Sequence, residues 1–320
     1  MLSRRCFFAA LALIGLALPA SAQDKADLKW KFEKDKSFYQ ELETRTSQKM
    51  TIMGMDVNQT QNQTFYFKWT PLEVKEKEVV LEQEITGVKM DIKIGGNTIA
   101  YDSTNPGAAN NPLADFFKAL LGSKFKVTLD TGSSPPKVTK VEGRKEFLDK
   151  LGTANQAMKP LLEAILSEDA LRQMAEPTFA ALPQKEVAKD ETWKYNAELK
   201  LGPIGSYKTD YEYKYLGKDE KEKELDKIGV TVTLTYTKPA GDQAAGLPFK
   251  IKDADLKGEK ATGTVFYDSK AGRVSSSSLD LTLNGTLDIE IGGMTTKVTL
   301  NQTQKTTSKM SAEDPTKKKQ

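Results

Sequence analysis

The sequence contains no histidine, and Cys6 is its only cysteine. The lack of histidine excludes Ser-His and Cys-His nucleophilic systems, imidazole bases and the commonest zinc ligand. A single cysteine excludes an internal disulfide. We therefore predict that the protein is not an enzyme and has no catalytic residues, no metal site and no cofactor. Acid-base chemistry by Asp, Glu, Lys or Tyr is the catalytic class that this composition leaves open.

Long hydrophobic runs are missing beyond the first 22 residues. Arg4 and Arg5 precede the apolar run 7–18, and Ala20-Ser21-Ala22 follows it. This order predicts that residues 1–22 are a cleavable signal peptide and that the mature chain is periplasmic or extracellular. The paired arginines leave two export routes open, the Sec route and the twin-arginine route. Because spanning a bilayer takes about 20 apolar residues, we predict no transmembrane segment.

Neither sign of charge dominates the chain, which has 47 basic and 44 acidic residues. Two of the basic residues, Arg4 and Arg5, lie in the predicted signal peptide, so the mature charge is nearly balanced. We therefore predict no nucleic-acid partner. Lys317, Lys318 and Lys319 end a segment, residues 311–320, that we predict to be a disordered basic tail. The oligomeric state is left open.

Period-two alternation of apolar and polar residues dominates the mature chain and indicates β-strands. It is clearest in residues 207–215, 228–236 and 279–291. A hairpin turn at Gly95-Gly96 pairs apolar with apolar residues across its strands, and so does a turn at Gly292-Gly293. A turn at Gly285 would instead pair apolar with polar residues. We therefore predict two hairpins and one bent strand over 279–291, with Gly285 at the bend.

The apolar period changes to that of a helix in the middle of the chain. A first amphipathic helix is indicated at about 112–122. Short helices follow from about 143 to 175, with breaks at Pro160 and Ser167. We predict an α+β, mainly β fold: a large, curved, half-barrel-like antiparallel sheet with a central group of short helices on its apolar face. It forms one β-rich domain, residues 23–310, with a helical insert at about 112–175. Thr, Lys, Glu and Gln are predicted to cover the wet face.

Two polar or aromatic patterns have a plain structural interpretation. The sequence Asn-Gln-Thr-Gln at 58–61 recurs at 301–304 and fits the glycosylation acceptor pattern. We interpret it as the polar side of exposed strands. The tyrosines that alternate through 207–215 either line a pocket or pack in the core, and strand propensity favours the core.

Several segments resemble an uncharacterised family of secreted bacterial proteins. They are Leu182-Pro183, residues 190–193, residues 202–205 and the two Tyr-Asp-Ser sequences at 101–103 and 267–269. The resemblance covers most of the mature chain, and it implies no activity because that family has none assigned. The predicted architecture is also similar to the periplasmic lipoprotein-carrier half-barrel, an analogy that transfers no residue.

The function class predicted on this basis is binding of an apolar or amphiphilic ligand, such as a lipid, in the cell envelope. The first helix is then a lid over the ligand, and its apolar face supplies the predicted ligand-binding residues: Leu113, Phe116, Phe117, Leu120 and Leu121. The alternative is a non-catalytic structural or protein-interaction module, in which the same helix is permanent core.

Overall fold

The computed structural model describes residues 25–105, 114–241, 247–259 and 261–317. The predicted signal peptide and Leu113 therefore lie outside the described residues. The strands are β1 Lys25–Leu28, β2 Phe38–Ile52, β3 Met55–Val74, β4 Glu78–Ile94, β5 Asn97–Asp102, β6 Lys124–Asp130, β7 Lys137–Glu142, β8 Lys185–Ala188, β9 Thr192–Lys200, β10 Ser206–Lys218, β11 Leu225–Thr237, β12 Lys250–Gly258, β13 Ala261–Asp268, β14 Arg273–Ile291 and β15 Met294–Ser311. The helices are α1 Ala114–Leu120, α2 Arg144–Ala154, α3 Lys159–Ile165 and α4 Glu168–Ala180.

The mainly β, α+β class is confirmed, with 60% of the described residues in strands and 16% in helices. Thirteen strands form one antiparallel sheet in the order β7-β6-β4-β3-β2-β15-β14-β12-β11-β10-β9, with β5 paired to β4 and β13 paired to β11 and β14. A separate two-stranded sheet joins β1 to β8.

Both predicted hairpins form with the predicted registers. The turn at Gly95-Gly96 pairs Ile92 with Ile99, and the turn at Gly292-Gly293 pairs Leu287 with Val298. β14 runs through Gly285 without a turn. Apolar pairing across each hairpin therefore predicted the local topology correctly.

Helix α4 closes the curled sheet. It packs against β7 and against β9, which are the two edges of the large sheet. A helix with its side chains is about 10–12 Å across, so the two edges approach to within about one helix diameter of each other. The half-barrel is thus completed by a helix in the place where another strand would close a barrel.

Three apolar clusters fill the inside of this sheet. The main core contains Trp69, Phe179, Leu182, Tyr215 and Tyr267 and receives residues from strands all round the sheet. The helix core joins α1, α2 and α3 to β4 through Ile85, Val88, Phe117, Phe147 and Leu151, among others. The tip core, towards the long hairpins, consists of Tyr236, Leu256, Leu283 and Leu300. The helices therefore lie on the apolar face, as predicted.

Helix α4 begins where the sequence indicated, since the Ser167 hydroxyl caps it by accepting from the backbone N–H of Ala170 at 3.1 Å. It extends past the predicted end near residue 175, with Pro177 inside it. The extension follows from tertiary packing. The Trp30 indole donates to the Phe179 carbonyl at 3.0 Å, which satisfies a terminal carbonyl of the helix.

None of the helices in the described part of the chain has the length and apolar character required to cross a membrane. At the C-terminus, β15 continues to Ser311. The Asp314 carboxylate then accepts from the backbone N–H and the hydroxyl of Thr316, so a local turn forms within the segment predicted as a tail.

Candidate ligand cavity

A cavity of about 240 Å³ lies inside the sheet beneath α4. We call it the α4 cavity. Its walls come from α4 and from β2, β10, β11, β13, β14 and β15, and they are formed by Gln40, Leu42, Met174, Pro177, Thr178, Ala181, Tyr211, Tyr213, Val230, Val265, Val274, Ser277, Ser278, Leu279, Thr306, Ser308 and Met310. The space is enclosed mainly by apolar groups, with hydroxyls at intervals.

The cavity is open to solvent beside α4. Met174 lines the cavity and is 43% exposed. Tyr213, Val230 and Val265 of the main core form part of its wall.

Two buried polar side chains of the cavity wall, Gln40 and Ser308, belong to a hydrogen-bonded network. The Trp69 indole donates to the Gln40 side-chain oxygen at 3.0 Å. The Gln40 amide donates in turn to the Ser308 hydroxyl at 3.0 Å. A polar network that is satisfied in this way fixes its side chains and adds little cost to an apolar site.

The tyrosine strand serves both of the roles weighed from the sequence. Tyr213 and Tyr215 are buried in the main core, which confirms core packing. Tyr211 and Tyr213 also form part of the cavity wall, and their rings are stacked with centroids 6.0 Å apart. Burial raises the pKa of Tyr211 and raises that of Tyr213 well above its usual value, so both phenols are neutral at pH 7.

The predicted ligand-binding residues on α1 lie in the helix core. Phe117 and Leu120 are buried there, and Phe116 and Leu121 pack partly buried against the same cluster. The Phe117 ring packs against Tyr101 with centroids 5.3 Å apart. These four residues do not line the α4 cavity. A ligand role for them stays a prediction.

The Asn-Gln-Thr-Gln sequences are divided between the two faces of the sheet. Asn58, Thr60, Asn301 and Thr303 are exposed, as predicted, whereas the prediction was wrong for the glutamines. Gln59, Gln61 and Gln63 lie on the same side of β3 as Phe65 and Trp69, inside the sheet. On β15, Gln302 and Gln304 alternate with exposed Asn301 and Thr303 and lie on the inner side. The period-two pattern carried this signal, because each glutamine shares its parity with the aromatic or apolar residues of its own strand.

Together these side chains form an inward-facing polar patch that we call the amide belt. It is built from three cross-strand rows on β3, β2 and β15: Gln63-Thr44-Thr306, Gln61-Thr46-Gln304 and Gln59-Gln48-Gln302. Thr306 belongs both to the first row and to the wall of the α4 cavity. The amide belt is therefore continuous with the cavity.

A second groove, of about 740 Å³, is lined mostly by outward-facing residues of the same strands, and Thr46 and Gln304 of the amide belt also contribute to its lining. Charges of both signs line it, from Arg45 and Lys305 on one hand and Glu259 and Asp280 on the other. It has little apolar enclosure, which ligand sites for small molecules usually have. The described residues contain no group of three or more carboxylate, thiol or imidazole side chains placed to hold a metal ion.

One carboxylate of α4 is buried beside β9. Glu176 is 9% exposed, with an oxygen 3.7 Å from the Arg172 guanidinium, and it adjoins Tyr195 of β9. Burial raises the pKa of Glu176 above its ordinary 4.5, and Arg172 opposes that shift. Glu176 does not line the α4 cavity, so it has no access to a ligand held there.

The raised pKa of Glu176 has a consequence for stability. Folding favours its protonated form, so its contribution is full below pH 4.5 and is lost as the pH rises through the folded-state pKa. We expect Glu176→Gln to be more stable than the parent protein at pH 7, with a difference that shrinks as the pH falls through the folded-state pKa and is gone below about pH 4.5. Urea unfolding at pH 7 and pH 4 measures this.

The matched control is Glu163→Gln, because Glu163 is an exposed carboxylate on the neighbouring helix α3. It should show little pH-dependent difference. A Glu176→Gln protein that is less stable than the parent at pH 7 would contradict the expectation and show that the Arg172 contact outweighs burial.

Comparison with known protein families shows which family the chain belongs to. The pattern described as "Family of unknown function (DUF6263)" matches residues 76–274, which is more than half of the sequence. The chain belongs to this family. The resemblance to an uncharacterised family is thereby confirmed. In this DUF6263 member the matched region contains all four helices and strands β4 to β13, whereas β2, β3 and β15, which carry the amide belt, lie outside it.

Solved structures offer distant likenesses to this DUF6263 chain. One is described as "Lipid-protein interactions in lipovitellin" and has 10% identity and a TM-score of 0.43. The match covers 90% of this chain and 27% of the lipovitellin chain. An outer membrane channel from Pseudomonas putida F1 has 6% identity and a TM-score of 0.23, with 88% and 98% covered. DynF from Micromonospora chersina has 7% identity and a TM-score of 0.19, with 94% and 92% covered. These scores are too low to support an argument. Comparison with curated proteins gives no match.

Proposed function

We propose that this protein is an exported, non-catalytic binding protein of the cell envelope, and that it holds an apolar or amphiphilic ligand in the α4 cavity. The observation that carries the proposal is the cavity itself. It is a concave space of about 240 Å³ beneath a helix, open to solvent on one side and lined mainly by apolar groups. Concave sites with mainly apolar walls and a few polar groups are typical of small-molecule binding.

The chemistry of the wall limits the ligand. Leu42, Val230, Val265, Leu279 and Met310 supply an apolar surface. Pockets for drug-sized ligands usually measure about 300–1,000 Å³, and this one is smaller. A slender chain such as a single alkyl tail fits this volume and this surface better than a broad, polycyclic ligand.

The proposal about export rests on the leader that the sequence predicts. Fractionation of native cells is expected to recover the mature chain, beginning near Gln23, outside the cytoplasm. N-terminal sequencing of the purified protein measures the start. A chain that retains residues 1–22 in the cytoplasm would overturn this part of the proposal.

Ligand binding is tested by filling the cavity. The probe is the neutral dye N-phenyl-1-naphthylamine, whose fluorescence rises in apolar surroundings. We expect the parent protein to bind the dye and Leu279→Trp to bind it at least about tenfold more weakly, because the indole occupies the space. Loss of the apolar contacts between the dye and the cavity wall costs about 1–3 kcal/mol of binding free energy. Solvent extraction of protein from its native host should likewise recover lipid from the parent and much less from the variant.

The control is Thr282→Trp, which adds the same indole on the same strand but on the opposite face, at the outer groove. It should bind the dye as the parent does. Circular dichroism and thermal unfolding verify that both variants fold. Failure of the parent to bind dye and to yield lipid would overturn the proposal and favour the structural or protein-interaction module, as would equal binding by Leu279→Trp.

A further inference from the structure

The amide belt is a polar island on an apolar surface. Towards the tip core it is followed by the row Val57-Met50-Leu300, and towards the main core by a row that contains Leu42 and Phe65. Sideways it is flanked by apolar residues of the neighbouring strands: Met90, Ile92 and Ile94 on β4, and Leu279, Leu281 and Leu283 on β14. The belt side chains are half-buried, so their polar groups are accessible to water or to the polar groups of a ligand.

Most of the hydrogen-bonding capacity of the belt is unused by the protein. The Gln61 amide donates to the Gln63 oxygen at 3.0 Å, and the Gln304 amide donates to the Thr306 hydroxyl at 3.3 Å. Among the described residues, the side chains of Gln48, Gln59 and Gln302 make no hydrogen bond with the protein. Because each amide offers two donors and two acceptor lone pairs, the belt presents a dense set of both.

The belt carries no charge, although its strands do. Glu43, Arg45 and Lys49 alternate with the belt residues of β2 and lie on the outer face, as does Lys305 of β15. A charged group brought to the belt would lose water without gaining a counter-ion. An uncharged group with several hydroxyls would exchange its hydrogen bonds to water for hydrogen bonds to amides.

We propose that the amide belt binds the uncharged, hydroxyl-rich headgroup, of sugar or polyol type, of an amphiphile whose alkyl tail lies in the α4 cavity. This inference rests on the proposed function and adds the headgroup class to it. The shared position of Thr306 joins the two subsites, so one molecule reaches both. The ligand is thereby a neutral glycolipid-like or polyol-lipid-like amphiphile and not a phospholipid or a fatty acid.

The test uses four probes with the same eight-carbon tail, each below its micelle concentration: octyl β-D-glucoside, 1-octanol, octyl sulfate and octyltrimethylammonium bromide. Competition with N-phenyl-1-naphthylamine measures their affinities for the full mature chain. We expect octyl glucoside to bind at least about tenfold more tightly than each charged probe and than 1-octanol. One or two net hydrogen bonds between the sugar and the belt amides supply about a tenfold gain in affinity over 1-octanol.

Two variants locate the headgroup. Gln304→Met keeps the length of the side chain and removes its amide, and should lower the affinity for octyl glucoside to that for 1-octanol while leaving 1-octanol unchanged. Gln304→Glu should favour octyltrimethylammonium over the other probes. Thr303→Val, an exposed outward-facing neighbour on the same strand, is the control and should leave all four affinities unchanged. If Gln304→Met fails to fold, Gln61→Met gives the same test from β3.

The outcomes separate this inference from the proposed function. Equal binding of 1-octanol and octyl glucoside, with no effect of Gln304→Met, would overturn the inference while the α4 cavity remains a tail site. Tighter binding of octyl sulfate or octyltrimethylammonium to the parent would likewise overturn it and identify a charged headgroup. Binding of none of the four probes would overturn both.

Discussion

Replacing Phe179 by alanine is expected to lower the free energy of unfolding by about 3–5 kcal/mol, which is the usual cost of removing a buried phenyl ring. Phe179 is fully buried, and its ring lies 5.4 Å from the Trp30 ring and 5.4 Å from the Trp69 ring, edge-on to both. The ring anchors the end of α4, and α4 joins the two edges of the sheet. Loss of the anchor therefore weakens the closure of the whole sheet.

Urea unfolding followed by tryptophan fluorescence measures this effect, because two of the reporter indoles contact the substituted side chain. The matched control is Met174→Ala on the same helix. Met174 is 43% exposed, so its truncation should cost less than about 1 kcal/mol. A loss of similar size in both variants would show that contacts spread along α4, rather than the Phe179 side chain, hold the helix against the sheet.

Replacing Gly285 by alanine is expected to destabilise the protein by about 3 kcal/mol or more. A Cβ atom at Gly285 would lie 1.9 Å from the Asp255 carbonyl oxygen, which belongs to the paired strand β12. The backbone φ of +149° is also one that residues with a side chain rarely adopt. Two paired strands must separate to admit the methyl group, and the tip core lies directly beneath them.

The control for Gly285 is Gly292→Ala at the tip of the β14–β15 hairpin. Gly292 has a φ of +57° and no atom within 4 Å of its added Cβ, so the variant carries the conformational cost alone, about 1–2 kcal/mol. Thermal and urea unfolding compare the two. Equal losses would show that β12 yields to the methyl group without separating from β14.

The sequence predicted much of this fold because most of it is local. The Gly-Gly hairpins, the bent strand through Gly285 and the cap at Ser167 each depend on residues close together in the chain. Pairing of apolar with apolar residues was enough to set the registers. The separate β1–β8 sheet was not predicted, because its partners lie far apart in sequence and neither strand has an extended alternating pattern.

The candidate site was less accessible to sequence reasoning. The α4 cavity depends on how α4 lies against both sheet edges, which no local pattern specifies. The inward position of Gln59, Gln61 and Gln63 could have been predicted from their odd numbers, because alternate residues of a strand share a face and the odd-numbered face of β3 carries Phe65 and Trp69. It was missed because glutamine is usually a surface residue. Parity within a strand is thus a better guide to its face than residue type.

The pairing of β2 with β15 also governs when the sheet can form. Ile52 lies opposite Val298, and Tyr39 lies opposite Ser311, so strands that are far apart in the described chain meet in the middle of the sheet. Contacts of such long range slow folding, since the intervening chain must be ordered first. Until β15 pairs with it, β2 therefore has one free edge, and a free edge can pair with another chain. Formation of the β2–β15 pair thus removes a route to aggregation as well as completing the sheet.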